Sequence, residues 1–141
     1  MGEIAGEFPC INPNYVGVKA QYGYMLQDGL LGSLRQWQYP PIGIVYTSLV
    51  KYDLQKGEVI DRWDSERGMY IFEPQFVPRV GSKAEDDGFL AAFATNAAED
   101  QSFMLILDAS DLSKGPVSQI KLPQKVASGL HGCFVPLESG N

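Results

Sequence analysis

The sequence predicts an all-β fold made of antiparallel strands. Glycine and proline interrupt the chain throughout, with 15 glycines and nine prolines among 141 residues, and such frequent breaks favour many short strands over long helices. Strand-like runs are separated by turn-forming residues about every 8 to 12 positions, and some of these runs pair into hairpin patterns. This combination is typical of β-sandwiches, barrels and propellers, and the periodicity does not choose among them.

Two hairpins account for most of the predicted strands. Residues 42–54 are rich in β-branched and aromatic side chains, and they are followed by a glycine turn at 55–58 and a partner strand at 59–63. Residues 88–95 and 102–107 are two apolar runs joined by a small polar loop. The second of these runs is apolar almost without interruption, which predicts burial on both faces of its strand.

Two further strands extend the second hairpin. After a turn-like segment, residues 117–122 alternate polar with apolar side chains. Beyond Pro123, a short loop that contains glycine leads into another strand-like run at 131–135. We therefore expect residues 88–95, 102–107, 117–122 and 131–135 to form one antiparallel meander sheet.

The first forty residues carry weaker patterns. Residues 7–24 mix prolines and glycines with aromatic side chains, so they form either a strand with long loops or irregular structure. Residues 30–38 space their apolar side chains as a helix does, but Gly32 and the pair at 40–41 limit a helix to one or two turns. No exact internal repeat is visible, although each hairpin could belong to one propeller blade.

Charge and composition exclude several classes of function. Seventeen acidic and 11 basic residues give a net charge of -6, which repels phosphate backbones, so nucleic acid is not an expected partner. No apolar run approaches the roughly 18 residues that cross a bilayer, while association with a membrane surface stays open. The N-terminus has acidic residues where a signal peptide needs positive charge, so we expect no targeting signal there. Cys10 and Cys133 have no spacing of a metal site or disulfide framework, so we expect free thiols and favour a soluble, intracellular (cytoplasmic or plastid) protein.

His131 is the one histidine in the chain, which excludes any metal site built from a histidine pair within it. By composition alone, a lone histidine between Leu130 and Gly132 is more often a buried ring bonded to backbone than a metal ligand. No Gly-x-Ser-x-Gly motif supports a catalytic serine. A hydrolase is therefore not predicted.

One acidic segment and two single glutamates could have a functional role. Residues 85–88 lack the alternating ligand positions of a calcium loop, so we interpret them as a solvated acidic turn. Glu73 lies among apolar residues, where a carboxylate must find a hydrogen-bond donor or shift its pKa, unless it simply sits on an exposed edge strand. Glu7, which precedes Phe8 and Pro9, poses the same question.

Five segments of the chain resemble, in order and spacing, the carboxy-terminal region of the carotenoid cleavage dioxygenases, a family that also includes stilbene cleavers and retinoid isomerohydrolases. The resemblance covers nearly the whole chain. The matching segments are GEFPCINPNY at 6–15, EPQFVPR at 73–79, AEDDGFL at 84–90, LILDASDL at 105–112 and GLHGCFVP at 129–136.

This resemblance implies a seven-bladed β-propeller whose axis carries a non-haem Fe(II) held by four histidines from different blades. The antiparallel meanders of this chain would then form about two blades of that propeller. By position, His131 matches the last of the four ligands, and Glu73 and Glu7 match glutamates that orient ligand imidazoles. Such pairing is physically reasonable because a carboxylate that accepts the other ring N–H fixes the tautomer of a metal-bound histidine.

The chain departs from the family in lacking the other three histidines. We therefore expect residues 1–141 to be a carboxy-terminal fragment of a carotenoid oxygenase domain, inactive alone because one imidazole does not hold ferrous iron. The complete enzyme would use O2 to cleave a carbon–carbon double bond of an apolar polyene, a carotenoid or apocarotenoid. The alternatives are a non-catalytic β-sheet remnant or interaction module, and a part of a stilbene-cleaving relative.

Overall fold

The computed structural model describes residues 6–27, 46–127 and 131–137, and in these ranges the chain forms nine β-strands and two short 3-10 helices. The strands make two antiparallel sheets. The first sheet has the order β1 (Glu7–Cys10), β2 (Tyr22–Gln27), β3 (Ser48–Asp53) and β4 (Glu58–Asp64). The second contains β5 (Met69–Ile71), β6 (Gln75–Pro78), β7 (Gly88–Asn96), β8 (Gln101–Asp108) and β9 (Pro116–Lys121). The all-β antiparallel fold predicted from the sequence is thus confirmed.

The second sheet has four strand positions although it contains five strands. Its order is β5-β7-β8-β9, and β6 also pairs with β7, so β5 and β6 share the first position. Strands β7, β8 and β9 occupy the places predicted for residues 88–95, 102–107 and 117–122. Each sheet is therefore an antiparallel meander of the kind expected for a propeller blade.

The strand predicted at residues 131–135 is wrong. This segment is exposed and forms no strand, and the backbone N–H of Gly132 donates to the Glu73 carboxylate at 2.6 Å. The free side of β7 is occupied by β5 and β6. The segment is therefore held by a side chain, and its apolar composition resembles that of a strand without providing a ladder partner.

Residues 7–24 form strands with a loop, and not the irregular structure that was the alternative for this stretch. A 3-10 helix at Pro13–Tyr15 lies in the loop between β1 and β2. The hairpin predicted for the first sheet is present as β3 and β4. The helical turns predicted for residues 30–38, and the start of the strand predicted from residue 42, lie outside the described residues.

The hydrophobic core lies on the face of the second sheet that carries the even-numbered residues of β7. Leu90, Ala92 and Ala94 are buried there, whereas Phe93 between them is exposed. Tyr24, Leu26 and Leu49 of the first sheet belong to the same cluster, together with Leu105 and Leu107 of β8. Burying each leucine contributes about 1.5–3 kcal/mol. Met104 and Ile106 of β8 are only half-buried, so the predicted burial of both faces of that strand is incomplete.

The acidic segment at residues 85–87 connects the sheets, which corrects its interpretation as a solvated turn. The Glu85 carboxylate accepts hydrogen bonds from the backbone N–H groups of Gln21, at 2.8 Å, and Tyr22, at 2.8 Å. Asp86 forms a 2.7 Å ion pair with the buried Lys51 ammonium. These carboxylates therefore join the loop before β7 to the first sheet through charge-assisted hydrogen bonds.

Candidate metal-ligand site

Glu73 projects from a β-bulge between β5 and β6. Four residue steps separate Ile71 from Gln75, but only three separate their partners Ala94 and Ala91 on β7, so the first position of the sheet carries one extra residue. Pro74 lies at the break and has no N–H for the ladder. Bulges re-aim side chains and are over-represented beside active sites. Here the extra residue allows two successive side chains, Phe72 and Glu73, to line the same cavity.

The Glu73 carboxylate contacts His131 and its neighbour at the same time. Its Oε1 lies 3.3 Å from Nδ1 of the His131 ring, and its Oε2 accepts the 2.6 Å hydrogen bond from the Gly132 N–H. A carboxylate only accepts hydrogen bonds, so the proton in the first contact resides on Nδ1. In a neutral His131 with this tautomer, the Nε2 lone pair is available. A histidine that binds a metal through Nε2 requires this tautomer.

Phe8 reaches His131 from the first sheet. Its ring lies 5.9 Å from the His131 ring, between centroids, with an interplanar angle of 73°. It also packs edge-to-face on Tyr46, at 5.7 Å between centroids. Both contacts have the edge-to-face geometry that aromatic pairs prefer.

The backbone at Phe8 is strained. Its φ is +53°, in the left-handed region that bulky residues rarely occupy, and the following Pro9 further disfavours helical conformations there. The pairing of Glu7 with Leu26 and of Cys10 with Tyr24 places three residue steps opposite two, so this strand also carries a bulge. Such backbone outliers cost on the order of 1–3 kcal/mol and concentrate at functional sites.

The two predicted glutamates occupy different surroundings. Glu73 is one-fifth exposed and supplies the carboxylate beside His131. Glu7 opens β1 directly before the strained Phe8, and its side chain is exposed. The structure therefore brings Glu73 and His131 together, whereas the role expected of Glu7 toward another imidazole stays a prediction.

An apolar cavity of about 310 Å³ adjoins His131. It lies on the face of the second sheet that points away from the core, where Phe93 and Met104 project. The remaining lining comes from Phe72, Glu73, Gln75, Ala91, Val126, Ala127 and the segment from His131 to Phe134. The imidazole thus borders a space suited to an apolar ligand, although the His131 side chain itself is 73% exposed.

The two cysteines are free thiols of different exposure. Cys133 is exposed, whereas burial, together with the nearby Glu73 carboxylate, raises the pKa of the Cys10 thiol to about 12. A half-buried thiol with so high a pKa is rarely deprotonated, and the thiolate is the form that binds metals. Cys10 is therefore a poor metal ligand.

The donor set fits one part of a metal centre. Among the described residues, no three histidine, cysteine, aspartate or glutamate side chains are arranged to hold a metal ion. His131 offers one imidazole nitrogen with its tautomer set by Glu73. These residues therefore fit a centre in which other donors complete the ligand set, and they do not form a metal site by themselves.

Sequence reasoning missed two contributors to this site. Phe8 was part of a matching segment, but nothing in its residue type indicated contact with His131. The Gly132 N–H is a backbone group and leaves no signal in the sequence. The proline that follows each of the residues Phe8 and Glu73 was the available sign, because proline in a strand marks an edge or a bulge.

Comparisons with known proteins show which family this chain is similar to. The sequence model of the family RPE65, retinal pigment epithelial membrane protein, matches residues 1–136. An isoeugenol monooxygenase from Pseudomonas nitroreducens is 36% identical over 95% of this chain and 28% of its own length.

Two solved structures show the same fold. A lignostilbene dioxygenase from Pseudomonas brassicacearum has a TM-score of 0.82 and 29% identity, over 93% of this chain and 27% of that chain. A cobalt-substituted apocarotenoid oxygenase from Synechocystis has a TM-score of 0.73 and 29% identity, over 89% of this chain and 24% of that chain. The two sheets correspond to a part of the β-propeller of these oxygenases.

The chain spans about a quarter of the length of these relatives. No helix in the described ranges is both long and apolar enough to cross a membrane. The family match covers nearly the whole chain, and the solved relatives reproduce its two sheets. By its sequence and its fold, the chain belongs to the RPE65 family of carotenoid oxygenases.

Proposed function

We propose that residues 1–141 are the carboxy-terminal region of a non-haem Fe(II) dioxygenase that cleaves a carbon–carbon double bond of a carotenoid or apocarotenoid. The observation that carries this proposal is the Glu73 carboxylate, which contacts Nδ1 of His131 and the Gly132 N–H together. A merely structural histidine on an exposed segment has no need of such a partner. A metal-bound histidine does, because the carboxylate fixes the ring and raises its basicity.

Each residue has a defined task in this proposal. His131 contributes Nε2 as one iron ligand, and the Glu73 carboxylate accepts hydrogen bonds from Nδ1–H of the ring and from the backbone N–H of Gly132. Glu7 orients a further histidine that lies outside this chain. Bound ferrous iron would supply the centre at which O2 reacts with the double bond.

The cavity beside His131 supports an apolar, conjugated substrate. Phe72, Phe93 and Met104 offer a lining without charge, and Glu73 is the one carboxylate among the lining residues. A polyene gains most of its binding energy from burial against such surfaces. A stilbene or phenylpropene is the alternative, favoured by the lignostilbene dioxygenase and isoeugenol monooxygenase among the similar proteins.

The test replaces His131 by glycine in the complete protein that carries this region. If His131 is a ligand, the variant loses iron and O2-dependent alkene cleavage, and added imidazole restores part of both by filling the vacated coordination position. The matched control is Val135→Ala, which keeps the imidazole and changes an exposed side chain of the same segment that does not line the cavity. Full iron content and activity in the glycine variant would refute the proposal.

The substrate is tested separately with an apocarotenoid, a lignostilbene and isoeugenol as probes. Cleavage of the apocarotenoid supports the proposed substrate. Cleavage of an aryl alkene alone keeps the iron site but replaces the substrate class. Both results require O2 consumption that depends on His131.

A non-catalytic β module is the second candidate. Two observations favour it: the described residues provide no complete ligand set, and the His131 ring is largely exposed. This candidate expects that His131→Gly leaves every measured property of the protein unchanged except local contacts of the ring. Iron content therefore discriminates between the two functions.

A further inference from the structure

We infer that Phe8 is a positioning residue for the His131 imidazole, acting with Glu73 to fix the direction of Nε2. The inference rests on the proposed function of His131 as an iron ligand. Phe8 comes from the first sheet, whereas Glu73 comes from the second, and the two side chains contact the same ring.

The two contacts restrain different motions of the ring. The hydrogen bond from Nδ1 to Glu73 is 3.3 Å long and anchors one corner of the imidazole. It leaves the ring free to rotate about the line that joins Nδ1 to the carboxylate oxygen, because hydrogen bonds tolerate such rotation. Phe8 packs at 73° to the imidazole plane and opposes this rotation. With both contacts in place, Nε2 points in one direction.

A second aromatic contact restrains Phe8 itself. Its ring packs on Tyr46 at an interplanar angle of 86°, and the Tyr46 carbonyl accepts a 2.9 Å hydrogen bond from the N–H of Ile71 in β5. The chain of contacts therefore runs from β5 through Tyr46 and Phe8 to His131. It begins at Ile71, close to the bulge that carries Glu73, so both restraints on the imidazole depend on the same edge of the second sheet.

The backbone conformation indicates that the ring at position 8 is needed. Glycine adopts a φ of +53° without strain, yet the chain places a bulky aromatic residue in this conformation, before a proline. Strained residues of this kind persist where the surrounding structure requires their side chain. The contact with His131 supplies that requirement.

The test uses NMR on the 141-residue chain, in which His131 gives the single histidine signal set. In the folded wild-type protein, the ring protons of Phe8 and His131 should show a nuclear Overhauser effect, and the imidazole protons should carry a ring-current shift. Phe8→Leu keeps an apolar side chain but removes the ring, so this shift should disappear. Phe8→Tyr keeps the ring and should retain it. Phe93→Leu is the control. Phe93 lines the cavity beside His131 from β7, and its replacement should leave the ring-current shift from Phe8 in place.

A second measurement connects the contact to catalysis. In the complete protein, Phe8→Leu should lower kcat by about 2- to 10-fold, with KM and iron content nearly unchanged, and Phe8→Tyr should restore kcat. A merely structural role would instead lower the amount of folded protein without this division between kcat and KM.

The outcomes separate this inference from the proposed function. Absence of the Overhauser effect in the wild-type chain, or imidazole shifts in Phe8→Leu that equal the wild-type values, overturns the positioning role of Phe8 and leaves the His131 test unaffected. Retention of iron in His131→Gly overturns the proposed function even where the ring contact is present. Equal kcat in wild type and Phe8→Leu, with the contact shown by NMR, also overturns the inference.

Discussion

At the residue scale, Glu73 is the centre of the site because its two oxygens serve two different donors. Because each oxygen accepts a hydrogen bond, the carboxylate stabilises both the imidazole tautomer and the course of the 131–137 segment, and solvent screening weakens the contact with the exposed ring. The residue type and its apolar neighbours indicated that Glu73 needs a donor. The identity of the second donor, a backbone N–H, could not be inferred from residue types.

Replacing Glu73 by glutamine should weaken iron binding in the complete protein by about 10- to 100-fold while leaving it folded. Glutamine offers one acceptor oxygen, so its NH2 group would face either Nδ1–H or the Gly132 N–H, and one of the present hydrogen bonds is lost. Metal titration with circular dichroism measures affinity and folding together. Glu66→Gln, on an exposed turn, is the control. Unchanged iron affinity would contradict the assigned role.

The two thiols should differ strongly in reactivity. The Cys10 pKa of about 12 leaves almost no thiolate at about pH 8. Cys10 should react slowly because the thiolate is the reactive form. Iodoacetamide should therefore modify the exposed Cys133 first, and Cys133→Ser should remain nearly unmodified until denaturant is added. Intact-mass spectrometry follows the reaction. Equal rates at the two positions in the folded chain would show that Cys10 is not protected.

At the element scale, strands with a regular period could be predicted and interrupted strands could not. The hairpins β3–β4 and β7–β8 carry long runs of strand-forming residues, and they appeared as expected. Strands β5 and β6 are three and four residues long and are separated by a bulge at Pro74, so neither contains enough positions to establish a period. The strand prediction at 131–135 is wrong for the opposite reason, because this segment has strand-like composition without a backbone partner.

Gly88 illustrates a constraint within one element. A Cβ at this position would lie 2.6 Å from the Val77 carbonyl oxygen and 2.7 Å from the Phe76 ring. Gly88→Ala should therefore push β6 away from β7 and destabilise the chain by about 1–3 kcal/mol. Urea denaturation measures the change in the free energy of unfolding. Gly132→Ala, which meets no atom within 4 Å, should have little effect, and equal losses for the two variants would contradict this account.

At the scale of the whole molecule, the two sheets join residues from both halves of the chain at one place. Glu73 and His131 lie 58 positions apart, and Phe8 reaches them from the first strand of the other sheet. Composition alone favoured an ordinary core histidine. Only the order of the family segments indicated a ligand role for His131, because no local pattern encodes a contact between separate sheets.

The 141-residue chain should not retain iron. Among the described residues one imidazole is suitably presented, and a single neutral ligand holds Fe(II) weakly. Metal analysis after anaerobic loading and desalting should find far less than one iron per chain, without O2-dependent cleavage of a polyene. One tightly bound iron per chain would mean that the ligand set is different from the proposed one.

Because of the bulge at Pro74, the site depends on the number of residues between Ile71 and Gln75 as well as on which residues they are. If Pro74 were absent and the pairing continued regularly from Ile71, Glu73 would lie opposite Ala92, and cross-strand neighbours share one face of a sheet. Ala92 faces the buried core, so the loss of the Pro74 codon alone would turn the carboxylate away from His131. In evolution, a lineage could lose this site through a one-residue gap while every histidine and glutamate remained in its sequence.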